Sequence, residues 1–209
     1  MRKYHNNIAF IDLLFNTALC FVFLFVISFM LIKAESKPSR IETKAEFVIT
    51  LTWDDEGKDD IDLWLQDPHG NLIFFMQKEG GLAHLDRDDL GKDNDAIYSI
   101  DGKTISYSFN QEITTIRGII PGEWTVNVHM YAKKQEEPSN VIVKIEKLNP
   151  VVVLIYMDKF TLSRAWEERT VLRFIMDEHG RVTDMTQLPK GLVELKLKNR
   201  APLTNAQPL

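Results

Sequence analysis

Cysteine is almost absent. The one thiol, Cys20, lies inside an apolar block, so no disulfide can form within a single chain, and cysteine usage says nothing about redox compartment. Basic charge is also short: 25 Lys and Arg stand against 30 Asp and Glu, for a net charge of −5. Most of the surplus acid falls between Asp54 and Asp101, and a nucleic-acid partner, which needs a basic face, is excluded. The spacings that announce catalysis are missing too. His69, His84, His129 and His179 sit in separate segments, with no zinc-ligand spacing, nucleophile elbow or phosphate-cradling glycine loop. An enzyme is not expected.

What is present divides the 209 residues into two unlike parts. Ile8 to Ile32 reads IAFIDLLFNTALCFVFLFVISFMLI, nearly unbroken apolar sequence, and a helix of about 20 residues spans the roughly 30 Å hydrocarbon core of a bilayer. A cleaved signal peptide has a shorter apolar region, about 7–15 residues, followed by a small-x-small site. Ile32-Lys33-Ala34-Glu35-Ser36 is a poor match to that site, so a retained anchor is expected. Charge does not orient it: Arg2 and Lys3 precede the block, while Lys33, Lys37, Arg40 and Lys44 follow.

Asp12 is the informative residue of the block. A carboxylate within a membrane helix is costly and tends to face a partner helix or an ion pathway. Its position near the start of the run also permits snorkelling to the headgroup boundary. Asn16 argues against that simpler role, because it lies at i+4 on the same helix face, and Thr17 lies beside that stripe. One edge of the helix is thus polar near its start, which suits packing inside a protein channel.

Phe10-Ile11-Asp12-Leu13-Leu14-Phe15-Asn16 resembles the start of the membrane helix in ExbD, TolR and MotB, the stator subunits of ion-driven motors. The match covers about the first 33 residues. It implies a cytoplasmic tip (1–7), a transmembrane helix (8–32) in the bacterial inner membrane, and a periplasmic remainder. It also implies a homodimer inside a ring of five polytopic MotA-, ExbB- or TolQ-like partners, with Asp12 as the ion-translocating residue and Asn16 and Thr17 as channel-facing support. A lone carboxylate suffices for a proton relay, whereas Asn16 and Thr17 add oxygens for a larger ion. Protons are therefore the expected cargo and sodium the alternative.

Residues 33–46, KAESKPSRIETKAE, are charged and carry one strong apolar residue, Ile41, as a solvated linker does. No OmpA-like peptidoglycan-binding segment follows, and the remaining domain is larger than those of ExbD and TolR. From Phe47 the pattern becomes strands: FVITLTW, IDLWL, LIFFM, ISYSF, WTVNVHMY, VIVKIEKL and TVLRFIM, bounded by Gly, Pro, Asn or Asp. The continuous apolar run VVVLIYM, Val151 to Met157, is too short to span a membrane and predicts a fully buried strand. These strands predict a mainly β fold, a single N-terminal transmembrane helix followed by an antiparallel β-sandwich over 47–185, with a C-terminal extension, 186–209.

Asp60-Ile61-Asp62-Leu63-Trp64-Leu65-Gln66-Asp67-Pro68-His69-Gly70-Asn71, followed by Pro121-Gly122-Glu123-Trp124-Thr125-Val126, resembles secreted bacterial sandwich domains of the pre-peptidase C-terminal kind. Over residues 47–180 this implies a jelly-roll or C2-like fold and an accessory binding role, without identifying a ligand. Trp53, Trp64 and Trp124 are expected to anchor the core, and Trp166 is the tryptophan placed for surface recognition.

Acid is concentrated at Asp59, Asp60 and Asp62 and in LDRDDLGKDND, which carries Asp86, Asp88, Asp89, Asp93 and Asp95. Calcium takes six to eight oxygen ligands, and two loops at one end of a sandwich can supply them, so Asp60, Asp62, Asp86, Asp88, Asp93 and Asp95 are candidate calcium ligands. The stretch is not an EF-hand, since the twelfth-position glutamate is missing, and exposed hydrated carboxylates are the simpler alternative. The expected function is a subunit that couples ion flow at Asp12 to mechanical work, its outer domain gripping an unknown envelope component. The rivals are a membrane-anchored adhesion or binding module without transport, and a hydrolase accessory domain with an uncleaved leader.

Overall fold

The computed structural model describes residues 5–31 and 44–200. Most of the N-terminal tip, Ile32 and linker residues 33–43 fall outside that description, as do residues 201–209. The chain forms two compact units, one on each side of the boundary between Glu42 and Thr43.

The first unit is a helix, α1 (His5–Leu31), of 27 residues. It contains neither Gly nor Pro, the two strongest helix breakers. At about 1.5 Å per residue it rises about 40 Å, more than the roughly 30 Å of a hydrocarbon core. Between Ile8 and Phe29 its mean hydropathy is 2.4. The helix is long and apolar enough to cross a membrane.

The second unit holds, among the described residues, thirteen strands, one α-helix and one short 3₁₀ turn at Gly91–Asn94. In order these are β1 (Phe47–Trp53), β2 (Asp60–Gln66), β3 (Leu72–Ile73), β4 (Glu79–Gly80), β5 (Ala83–Arg87), β6 (Ala96–Tyr98) and β7 (Thr104–Ser106). They continue with β8 (Gln111–Ile116), β9 (Gly122–Ala132), β10 (Ser139–Lys147), β11 (Val153–Leu162), β12 (Glu168–Met176), β13 (Val182–Thr186) and α2 (Leu192–Arg200). Two antiparallel sheets, ordered β11-β10-β1-β8-β5-β4 and β13-β12-β9-β2-β3, pack as a sandwich, and β6-β7 forms a separate exposed ribbon.

Strict alternation explains the core. Phe47, Ile49, Leu51 and Trp53 of β1 face inward, as do Ile61, Leu63 and Leu65 of β2 and Val141, Val143 and Ile145 of β10. Trp124, fully buried, stacks on Phe174 at 6.5 Å between ring centroids, and Phe174 also meets Phe47 at 6.3 Å. The three tryptophans expected in the interior are there, with Trp64 on the opposite face of β2 in a second cluster with Leu72, Phe74 and Leu192. That cluster makes α2 part of the folded unit. Glu168 of β12 also accepts the N–H groups of Leu192 (2.7 Å) and Val193 (3.2 Å), satisfying donors that a helix start leaves free.

Three segments differ from the sequence expectation. VVVLIYM is not a buried strand. From Val153 it opens β11 at the edge of the larger sheet, where Val151, Val152, Val153, Leu154 and Met157 are exposed, Ile155 and Tyr156 pack half-buried against the core, and only Phe160 and Leu162, farther along, are buried. LIFFM contributes only Leu72 and Ile73 to a strand, because Phe74 and Gln77 exchange backbone hydrogen bonds and close a tight turn. ISYSF lies largely in the exposed ribbon and its margin, outside the core.

Candidate functional site

On α1, Asp12 and Asn16 lie one turn apart on one face, and Cys20 continues the stripe at i+8. Thr17 donates its hydroxyl to the carbonyl of Leu13 at 2.8 Å, so its proton is used inside the helix while the oxygen keeps lone pairs for another partner. Asp12 is the single Asp, Glu, Lys or Arg between Ile8 and Phe29.

The second site lies in the sandwich, where β2 changes neighbours. One side of β2 is paired with β9 from Asp60 to Gln66, whereas β3 covers the other side only at Leu65 and Gln66. The N–H of Leu63 therefore lacks a strand partner, and Glu112 reaches across from β8 to accept it at 2.7 Å. An uncovered ladder donor in the interior is costly, and a carboxylate supplied from the facing sheet meets that need.

Glu112 brings negative charge to two others. One carboxylate oxygen each from Asp62, Asp88 and Glu112 lies within 4.8 Å of the other two. Asp62 and Glu112 are buried, and the Asp88 side chain is 19% exposed. Lys78 pairs with Asp88 Oδ2 at 2.8 Å, while Asp88 Oδ1 is buried and has no hydrogen-bond partner among the described residues. Asp62 faces His129, its direct partner across the β2–β9 ladder. Burial and the charge of Asp88 raise the Asp62 carboxyl above its usual value against the lowering pull of His129. Glu112 is pushed well above the usual range by burial and then by the charges of Asp62 and Asp88, which the N–H donors of Leu63 and Asp89 only partly offset. Three such carboxylates do not all ionise in a low-dielectric site unless a cation or retained protons neutralise them.

The six residues read as calcium ligands are thus divided. Asp62 and Asp88 come together, and Glu112, unremarked in the sequence, joins them. Asp60 is buried on the same strand but outside the group. Asp86 turns to the opposite surface of the larger sheet, bonded to Arg117, Thr115 (2.6 Å) and His84 (3.0 Å). A bulge between Leu85 and Arg87 breaks the alternation of β5, which is how Asp86 and Asp88, two residues apart, serve different places. Asp95 is buried near Asp89 and Glu56, and burial followed by those like charges raises its carboxyl. The side chain of Asp93 lies outside the described residues.

The neighbouring loops are fixed by tight backbone contacts. Gly91 has φ +67°, and a Cβ there would stand 2.5 Å from the Asp59 carbonyl oxygen and 3.1 Å from that of Gly57. Gly91→Ala is expected to cost about 1–3 kcal/mol from the left-handed backbone alone, with the clash adding to it. Thermal unfolding of the variant would show a clearly lowered midpoint, and a midpoint equal to wild type would refute the assigned crowding. Trp166, expected at the surface, is 65% exposed with φ +64° and stands against Tyr131 and His129, at 5.7 and 5.5 Å between ring centroids.

No protein-family model matches the chain, nor does any curated protein or any solved structure. The resemblances to stator subunits and to secreted sandwich domains therefore rest on the residues quoted for them.

Proposed function

We propose that the chain is a stator-like subunit of an ion-driven membrane motor, with α1 in the bacterial inner membrane, its N-terminus cytoplasmic and the β-sandwich periplasmic. The observation that carries this reading is Asp12, the one acidic residue of an otherwise apolar helix, with Asn16 one turn away on the same face. A carboxylate held at such a place is stable only beside a polar partner or an aqueous path, and cycling its proton is the work it can do there. Protons are the transported ion, with sodium the alternative that Asn16 and Thr17 would serve. The partners are polytopic subunits surrounding two copies of this chain, and the sandwich transmits force to an envelope component. No bond chemistry is assigned.

Mild-detergent purification of the tagged full chain from its native cell, with mass measurement of the assembly, tests the reading. A polytopic partner recovered in excess over this chain is expected. Recovery of the chain alone, or with envelope material only, would replace the motor by a membrane-anchored adhesion or binding module.

A further inference from the structure

We infer that Asp62, Asp88 and Glu112 form a binding site for one hard divalent cation, with calcium the ion of best fit, clamping the open side of β2 to the facing sheet. Calcium–oxygen distances of about 2.3–2.6 Å place ligands on opposite sides of one ion about 4.6–5.2 Å apart. Oxygens mutually within 4.8 Å therefore fit around a single calcium. The donor set is oxygen only, one atom from each of three carboxylates, which suits a hard cation and offers nothing that a soft metal prefers. Calcium also tolerates irregular geometry, whereas magnesium requires near-ideal octahedral coordination.

Acid crowding alone would not establish a site, and His129 supplies separate evidence. Its side chain is 2% exposed, and its Nδ1 points at Asp62 Oδ2 from 3.5 Å, beyond the 2.7–3.2 Å of a working N–H···O bond. Its Nε2 has no hydrogen-bond partner among the described residues. The imidazole is thus a buried polar side chain whose Nδ1 reaches Asp62 through one long contact and whose Nε2 is unbonded among the described residues. A buried polar group in that condition is costly unless something completes its surroundings. Ligating carboxylates are themselves held by outer hydrogen-bond partners, and Asp62 drawn onto a cation would be held by His129 in that way. The buried Asp88 Oδ1 is a second atom in the same place without a partner among the described residues. Lys78, paired with Asp88 alone, leaves most of the cluster's charge uncompensated. The inference is independent of what α1 does.

The test uses the full chain in detergent, stripped with chelator, then titrated with calcium chloride by calorimetry and followed by thermal unfolding. One calcium per chain is expected, with the sandwich's unfolding midpoint raised by about 5–10 °C at a hundredfold excess over Kd. Asp88→Asn, at the most exposed of the three ligands, should weaken binding at least about tenfold. Glu112→Gln keeps an acceptor for Leu63 and serves as the second variant, and Asp86→Asn, on the other surface, should bind as wild type. Terbium in place of calcium should give tryptophan-sensitised emission that falls in Trp64→Phe, since Trp64 stands beside Asp62 on the same face of β2. Absence of saturable heat and of any midpoint shift up to roughly 10 mM calcium, above the range of weak extracellular modules, would overturn the site and leave the carboxylates sharing protons. Wild-type affinity in Asp88→Asn and in Glu112→Gln, or equal loss in Asp86→Asn, would overturn it as well.

Discussion

Asp12→Asn is expected to abolish the ion-driven work of the assembly in cells while the chain still inserts and still recovers its partners. Asparagine has nearly the size and hydrogen-bonding reach of aspartate but cannot take up or release a proton. The substitution also makes insertion easier, since aspartate costs more than asparagine in a membrane helix, up to about 2.5–3.5 kcal/mol at the centre and less near the start, where Asp12 lies. Loss of function therefore cannot be blamed on failure to enter the bilayer. Asp12→Glu, which keeps the exchangeable proton at a shifted position, should retain partial activity. The decisive measurement pairs a functional readout with recovery of the intact complex. Full activity in Asp12→Asn with the complex assembled would end the relay reading, and replacement of α1 by an unrelated apolar helix would then be tolerated as well.

Most of the sandwich was legible because burial imposes a period of two on strands that have one face in the core. β1 is the clear case, with every second residue from Phe47 to Trp53 apolar and buried. β8 shows where that signal fails. Its inward positions are Glu112, Thr114 and Ile116, so a central strand of the larger sheet reads as polar sequence. The carboxylate that hides β8 is the one that completes the acidic cluster, and the same substitution of polar for apolar removed both from view. VVVLIYM failed in the opposite direction, since a continuous apolar run does not reveal whether a strand has neighbours on both sides, and β11 has only β10. The division of labour among nearby acids was hidden as well. Asp86 and Asp88 are separated by a bulge that composition cannot foretell, and Glu112 reaches the cluster from 50 residues beyond Asp62 only because two sheets face each other there.

Asp59 gives the sharpest contrast with its neighbours, and Asp59→Ala is expected to be among the most destabilising substitutions in the sandwich. The residue is fully buried three positions before Asp62, yet it is saturated with donors: Lys133 Nζ and the N–H of Lys134 at 2.6 Å, the N–H of Gln135 at 3.0 Å, and the hydroxyl of Ser139. These ties bind the turn before β2 to the loop between β9 and β10. Burial raises the carboxyl, but the bonds from Lys133, Ser139, Lys134 and Gln135 outweigh it and hold Asp59 below its usual value. A carboxyl depressed in the folded state contributes stability that is present above its unfolded value, near 3.8, and is lost as pH falls through the lower folded value. Alanine would leave the Lys133 ammonium, 12% exposed, without its carboxylate partner, with the Glu137 carbonyl still accepting from it, and would remove the acceptor of the Lys134 and Gln135 N–H groups. Breaking a buried pair from one side costs about 3–5 kcal/mol, which for a domain of this size lowers the unfolding midpoint by about 6–20 °C. Asp59→Asn keeps an acceptor for Lys134 and Gln135 and should lose less, while flattening the acid limb of the stability profile below about pH 4. Thermal unfolding of both variants between neutral and acid pH measures the two effects together. A midpoint for Asp59→Ala equal to wild type at neutral pH would mean that the loop network closes without its carboxylate, the turn being held instead by Trp53, whose indole N–H donates to the Asp59 carbonyl at 3.1 Å.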